Sequence, residues 1–213
     1  FEVPSFSLVH PSEIIFYLGL GVLAGVLSVI FVDLLYRTEH FFERMKWCPF
    51  YLKPIIAGLL IGGTGYYFPQ ILGVGYGPID QVLHENYTLA LMIFLLFVKM
   101  LATSLTIASG ASGGVFTPSL YIGAMLGGVY GMIVHELFPG MTSSYGAYAL
   151  VGMAAVLSGA SRASLTAVVI LFEMTLEYSI ILPLMFSCVI ANQVASILYG
   201  EKTLYSVKLM RKG

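Results

Sequence analysis

The sequence predicts an all-α polytopic membrane protein with tilted, broken and part-spanning helices. Three observations carry that expectation. First, the 213 residues are 58% hydrophobic and only 10% charged, with a mean hydropathy of +0.90. A soluble domain carries roughly 25% charged residues because its surface must face water, so this chain's outer surface faces lipid. Second, the hydrophobic residues gather into long runs free of charge, of the length a spanning helix needs, about 20 residues. Third, several other apolar runs are short and interrupted by glycine or proline, which is tolerated at membrane depth only where protein or a water-filled cavity surrounds the free backbone groups.

In chain order, residues 14–32 read as the first span, with Ser12 as N-cap and Glu13 as first-turn acid. Residues 33–53 hold Arg37, Glu39, Glu43, Arg44, Lys46 and Lys53 and read as a water-facing connection. Residues 54–68 form a short second segment, rich in glycine, and residues 69–86 a loop. Residues 87–108 form a helix with Lys99 inside it, and residues 116–137 another, ended by Pro139-Gly140. Residues 145–160 and 164–174 are two short helices, 179–198 a long one, and 204–212 a short basic amphipathic end. Gly123, Gly127 and Gly131 recur every fourth residue, as do Gly58 and Gly62, and helix packing is the simplest account of both series.

Composition also excludes classes. A net charge of −1 argues against nucleic acid as a partner and against a polybasic membrane-surface role. Cys48 and Cys188 sit apart in apolar surroundings and read as two buried thiols rather than a disulfide or metal pair. HExxH and Walker patterns do not occur, so no enzyme and no cofactor are expected. There is no signal-peptide pattern at the start, and Phe1 stands where a natural chain would carry Met, so the sequence reads as a processed or excised segment. Val74-Gly75-Tyr76-Gly77 has the look of a potassium filter. Gly73 stands where that filter has threonine and Pro69 interrupts the lead-in, so a turn between helices is the better reading.

The chemistry-bearing stretch is Ser109-Gly110-Ala111-Ser112-Gly113-Gly114-Val115-Phe116-Thr117-Pro118. It carries no charge and lies between two apolar helices. Helix cannot persist through Gly113-Gly114, yet the apolar run resumes at Phe116, so a helix N-terminus falls inside the hydrophobic zone. Pro118 suits a first turn. Free N–H groups and the helix dipole at such an end attract an anion without a full positive charge. A full charge would hold the ion too tightly for release. From spacing alone, a helix-initiating loop with no ligand fits equally.

This run resembles the chloride channel and chloride/proton exchanger family, whose GxFxP signature matches Gly114-Val115-Phe116-Thr117-Pro118. Gly152-Met153-Ala154-Ala155, Arg162 to Thr166, Phe172-Glu173-Met174-Thr175 and Leu204-Tyr205-Ser206 resemble its later helices in the family's order. The resemblance implies one half of an inverted-repeat domain, the second, with the first half absent. It implies transport of chloride or a similar small anion by a channel or proton-coupled antiporter. The anion-binding set it implies is Gly114, Val115, Phe116, Thr117, Pro118 and Tyr205, with the amides of Val115 and Phe116 and the Tyr205 phenol as ligands. Taken alone, Tyr205 reads as an interfacial anchor. The family's first half supplies a further serine, a gating glutamate in GxEGP and, in exchangers, a proton-transfer glutamate. GxEGP does not occur here.

Other charged residues read structurally. Glu173 is expected to meet backbone amides or Arg162, and Lys99 to snorkel or pair. A secondary transporter of another broken-helix fold would show a cation-coordinating carboxylate near the helix break, and residues 100–134 hold none. A structural membrane subunit would not need a glycine-rich break in its most apolar region. The expected partners are therefore the bilayer, chloride, the first half of the domain and a second copy. The resemblance places the dimer contact on residues 14–32, 164–174 and 179–198, with Ile181, Met185, Cys188 and Asn192 on one face. Lys202, Lys208, Arg211 and Lys212 predict a cytoplasmic C-terminal tail.

Overall fold

The computed structural model describes residues 12–45, 49, 51–200, 203 and 204. Among these the regular structure is helical: α1 Glu13–Arg44, α2 Leu52–Tyr67, α3 Tyr76–Leu83, α4 Leu89–Ala108, α5 Phe116–Leu137, α6 Tyr145–Ser161, α7 Ser164–Thr175 and α8 Ile181–Tyr199. Four stretches are long and apolar enough to cross a membrane: α1, α4, α5 and α8 with the 3₁₀ turn Tyr178–Ile180 before it. The fold is an all-α membrane architecture with part-spanning helices, as the composition predicts.

Two boundaries differ from expectation. α1 continues from Val32 to Arg44, because charges mark the exit from lipid but do not end a helix. No glycine or proline intervenes between Gly25 and Pro49, and Asp33 pairs with Arg37 one turn on at 2.5 Å. The expected loop at 69–86 contains the 3₁₀ turn Pro69–Ile71 and the helix α3. Gly77 and Pro78 lie in the first turn of α3, where proline lacks only an N–H that would be free anyway. Val74-Gly75 forms the turn into α3, with Gly75 left-handed at φ 88°, so the tetrapeptide is a turn and a helix start.

The core helix is α6. Every residue from Gly146 to Ala160 is buried, which a short helix rich in alanine and glycine permits. α5 lies closest against it, with Gly123 and Gly127 meeting Gly152 and Tyr148 backbone to backbone. α1 and α8 flank α6, and α1 approaches α8 through Gly21 and Gly25. Hydroxyls tie these helices together: Ser28 donates to the Val156 carbonyl at 3.0 Å, Ser158 to Cys188 at 2.8 Å and Ser187 to Tyr17 at 2.8 Å. In low dielectric such bonds satisfy groups that lipid cannot. Cys188 is a buried free thiol; Cys48 lies outside the described residues.

The glycines of α2 depart from the packing expectation. A Cβ at Gly58 or Gly62 would meet nothing within 4 Å, because only Ala57 and Gly65 of this helix are buried. Ser12 stands at the N-cap of α1, but its side chain makes no cap bond. The Glu13 carboxylate instead turns inward. It accepts from the Ser143 N–H at 2.7 Å, from the Ser143 hydroxyl, and from Tyr148 at 3.1 Å. That joins the start of α1 to the α5–α6 corner.

The C-terminal ends of α6 and α8 are joined by Arg162. It sits at φ 62° and donates through Nη1 to the Asn192 carbonyl at 2.8 Å. Its Nη2 donates to Ala195 at 2.5 Å and Gly200 at 3.0 Å. A guanidinium on the last carbonyls of a helix complements the negative end of its dipole. Arg162 therefore meets carbonyls rather than Glu173, which is exposed. Not all of the α8 face expected at a dimer contact is exposed. Cys188 is fully buried, and the outward stripe is Leu182, Met185, Phe186, Val189 and Ile197.

Candidate anion-binding site

The break between α4 and α5 is built by local chemistry. α4 closes with the Ser109 N–H on the Leu105 carbonyl at 3.0 Å and the Gly110 N–H on Ile107 at 3.1 Å. Gly110 then turns left-handed at φ 89°. Residues 111–114 have no regular structure, and α5 starts at Phe116. Val115 is its N-cap and brings no capping side chain. Its carbonyl accepts from the Ser119 N–H at 3.1 Å and the Ser119 hydroxyl at 2.7 Å. Among the described residues, no acceptor meets the N–H groups of Val115, Phe116 and Thr117. Pro118 has none to offer.

This end opens on a cleft of about 390 Å³ lined in part by Gly113, Gly114, Thr117 and Pro118. A Cβ at Gly114 would meet nothing within 4 Å, so the backbone there is open to a close approach. Val115 and Phe116 turn their side chains onto the hydrophobic core, which fixes the helix end. Five of the six expected residues thus belong to one helix start, three of them facing the cleft. Tyr205 lies outside the described residues. The chain leading to it is anchored, since the Leu204 N–H donates to the Ala160 carbonyl at 3.1 Å and its side chain is buried.

Sequence reasoning missed the contribution of α4, whose Lys99, Thr103 and Thr106 line the same cleft. Their spacing of four and three residues places them on one helix face, the signal that was available. Lys99 is paired, as expected, but with carbonyls: Ile71 at 2.8 Å and Gly73 at 2.9 Å. Among the described residues, no group of three His, Cys, Asp or Glu side chains is arranged to hold a metal. Neutral N–H donors, a helix dipole and a nearby buried cation suit an anion.

Fold and site together define a helical membrane domain whose helices break inside the apolar zone and present an uncapped N-terminus to a cleft. The chain belongs to the voltage gated chloride channel family, whose sequence model matches residues 1–196. It is 36% identical over 211 residues to a ClcB-like protein of Ralstonia nicotianae, covering 99% of this chain and 49% of that one. It is 34% identical over 220 residues to the H(+)/Cl(-) exchange transporter ClcA of Klebsiella pneumoniae, covering 99% and 45%. Among solved structures, a slow cyanobacterial Cl-/H+ antiporter superposes with a TM-score of 0.91 at 28% identity, covering 99% of this chain and 49% of that one. The chain spans about half the length of these relatives.

Proposed function

We propose that this chain is the second half of a membrane domain that passes chloride or a similar small anion, as a channel or as a proton-coupled antiporter. The observation that carries this reading is the uncapped start of α5 at the cleft. Donors without an acceptor are costly inside a membrane protein, and an anion is what they would take. The amides of Val115 and Phe116 bind it, Gly114 and Thr117 shape its approach, Pro118 stiffens the first turn, and the Tyr205 hydroxyl adds a donor. Neutral donors hold an anion loosely enough to release it, as transport requires. Kinship to an exchange transporter and superposition on a Cl-/H+ antiporter support the choice of ion.

The domain is completed by a first half of like size, and two complete copies form a homodimer with one path in each. The protein is a transporter and not an enzyme, needs no cofactor, and carries its basic tail in the cytoplasm. Bromide exchanged into crystals of the complete domain tests the site by anomalous scattering. A peak within hydrogen-bond reach of the Val115 and Phe116 amides is expected; its absence there sinks the assignment.

A further inference from the structure

We propose that Lys99 supplies a fixed positive charge to the anion path and sets how strongly the cleft attracts its ion. The proposal rests on the anion-transport reading above. Lys99 stands well inside α4 and is 3% exposed. Its ammonium donates to the carbonyls of Ile71 and Gly73 and lies 4.9 Å from the centroid of the Tyr121 ring. All these partners are neutral. Among the described residues, no ion pair involves Lys99. Among the described residues, no carboxylate lines the cleft it faces.

A buried ammonium without a counter-charge is expensive. Bonding two turn carbonyls does not require it, since a neutral amide donates as well. The charge itself is the part left unexplained. The start of α5, which also carries partial positive charge, lines the same cleft as Lys99. Two positive ends facing one cleft repel each other until an anion enters between them. The hydroxyls of Thr103 and Thr106 give their protons to the Lys99 and Ala102 carbonyls at 2.8 and 2.7 Å, so they leave an entering anion no donor of their own.

The 69–75 turn holds the ammonium back. Two of its three N–H bonds are taken by the turn. At Gly75, left-handed at φ 88°, a Cβ would stand 2.5 Å from the Tyr121 ring and 3.6 Å from Nζ. The charge therefore acts as a field on the path rather than as a tight ligand, which attracts the ion without trapping it.

The test uses the complete membrane domain containing this chain, purified, with chloride binding measured by calorimetry. Lys99→Gln keeps donors for both carbonyls and removes the charge. It is expected to weaken chloride binding on the order of tenfold, as for one unit charge near a partly buried ion. Lys99→Arg is expected to stay within a few-fold of the parent. Lys99→Cys separates charge from packing: a cationic aminoethyl disulfide adduct should bind chloride several-fold more tightly than a neutral methyl adduct. Equal binding by the two adducts, or parental binding by a folded Lys99→Gln, overturns the proposal. If the parent itself binds and transports no anion, the anion-transport reading fails instead, and the two failures are distinguishable.

Discussion

A Cβ placed on Gly127 would stand 2.1 Å from the carbonyl oxygen of Tyr148. Gly123 and Gly152 make the same demand on each other, with 2.4 Å from either Cβ to the opposite carbonyl. α5 and α6 therefore touch backbone to backbone, and α5 is the helix whose start faces the cleft. Gly127→Ala forces the two helices apart and is expected to cost about 1–3 kcal/mol, the usual range for overpacking. Thermal unfolding of the complete domain in detergent measures it. Gly58→Ala, at an open site in α2, serves as the control and should leave the midpoint unchanged or slightly raised. Equal midpoints for both variants would remove the close contact from the account.

What the sequence made legible followed from periodicity and from glycine. The four-residue glycine series of α5 announced a packed face, and the Gly113-Gly114 break announced a helix start at Phe116. Both depend on local backbone chemistry, which a single sequence carries. The identical spacing of Gly58 and Gly62 carried the opposite outcome, since spacing shows that a face is smooth but not what covers it. Likewise Lys99 was visible as a cation, but its carbonyl partners come from a turn 26 to 28 residues away. Pairings at that range depend on tertiary arrangement. Arg162, one of the two kinds of partner expected for Glu173, meets carbonyls 30 to 38 residues away for the same reason.

The Glu13 carboxylate offers a second test of the packing. It is fully buried and receives the Ser143 N–H together with two hydroxyls. Glu13→Ala leaves those donors without an acceptor and is expected to cost about 3 kcal/mol, given the strength of hydrogen bonds to a charged group. Glu13→Gln keeps one oxygen in place and should cost about 1 kcal/mol. Unfolding midpoints of both variants in the complete domain check the order; a Gln variant as damaged as the Ala variant would show that charge, not acceptance, matters.

Arg162 holds two carbonyls in the last two turns of α8 and that of Gly200 just after it. Arg162→Met releases all three. Amide hydrogen exchange at Gly200 and Leu204 is expected to accelerate by roughly tenfold for each ~1.4 kcal/mol of lost local stability. Arg162→Lys presents a point charge instead of a planar fork and should recover only part of the protection. Unchanged exchange in the Met variant would mean that the Leu204–Ala160 bond anchors this segment unaided.

The proposed homodimer is best probed on α8, with the face read from the structure. Cys188 points into the core, fully buried, while Val189 is 59% exposed and Met185 50%. Along α8 the outward stripe runs Leu182, Met185, Phe186 and Val189, at spacings of three, one and three that keep it on one side of the helix. Association within lipid gains little from the hydrophobic effect, because the tails are as apolar as the partner, and depends on shape. Val189→Trp adds bulk at the most exposed position of that stripe without altering α5, which carries the proposed site. The expected outcome in the complete domain is a lower dimer fraction by cross-linking in bilayers at dilute protein, with chloride binding per subunit preserved. Gly152→Trp is not a usable comparison, since it would break the α5–α6 contact; Leu165→Trp, on the exposed part of α7, probes the neighbouring face. Should the dimer survive both tryptophans, the contact lies elsewhere. Should chloride binding fall in step with the dimer, the path is shared between subunits and not contained in each.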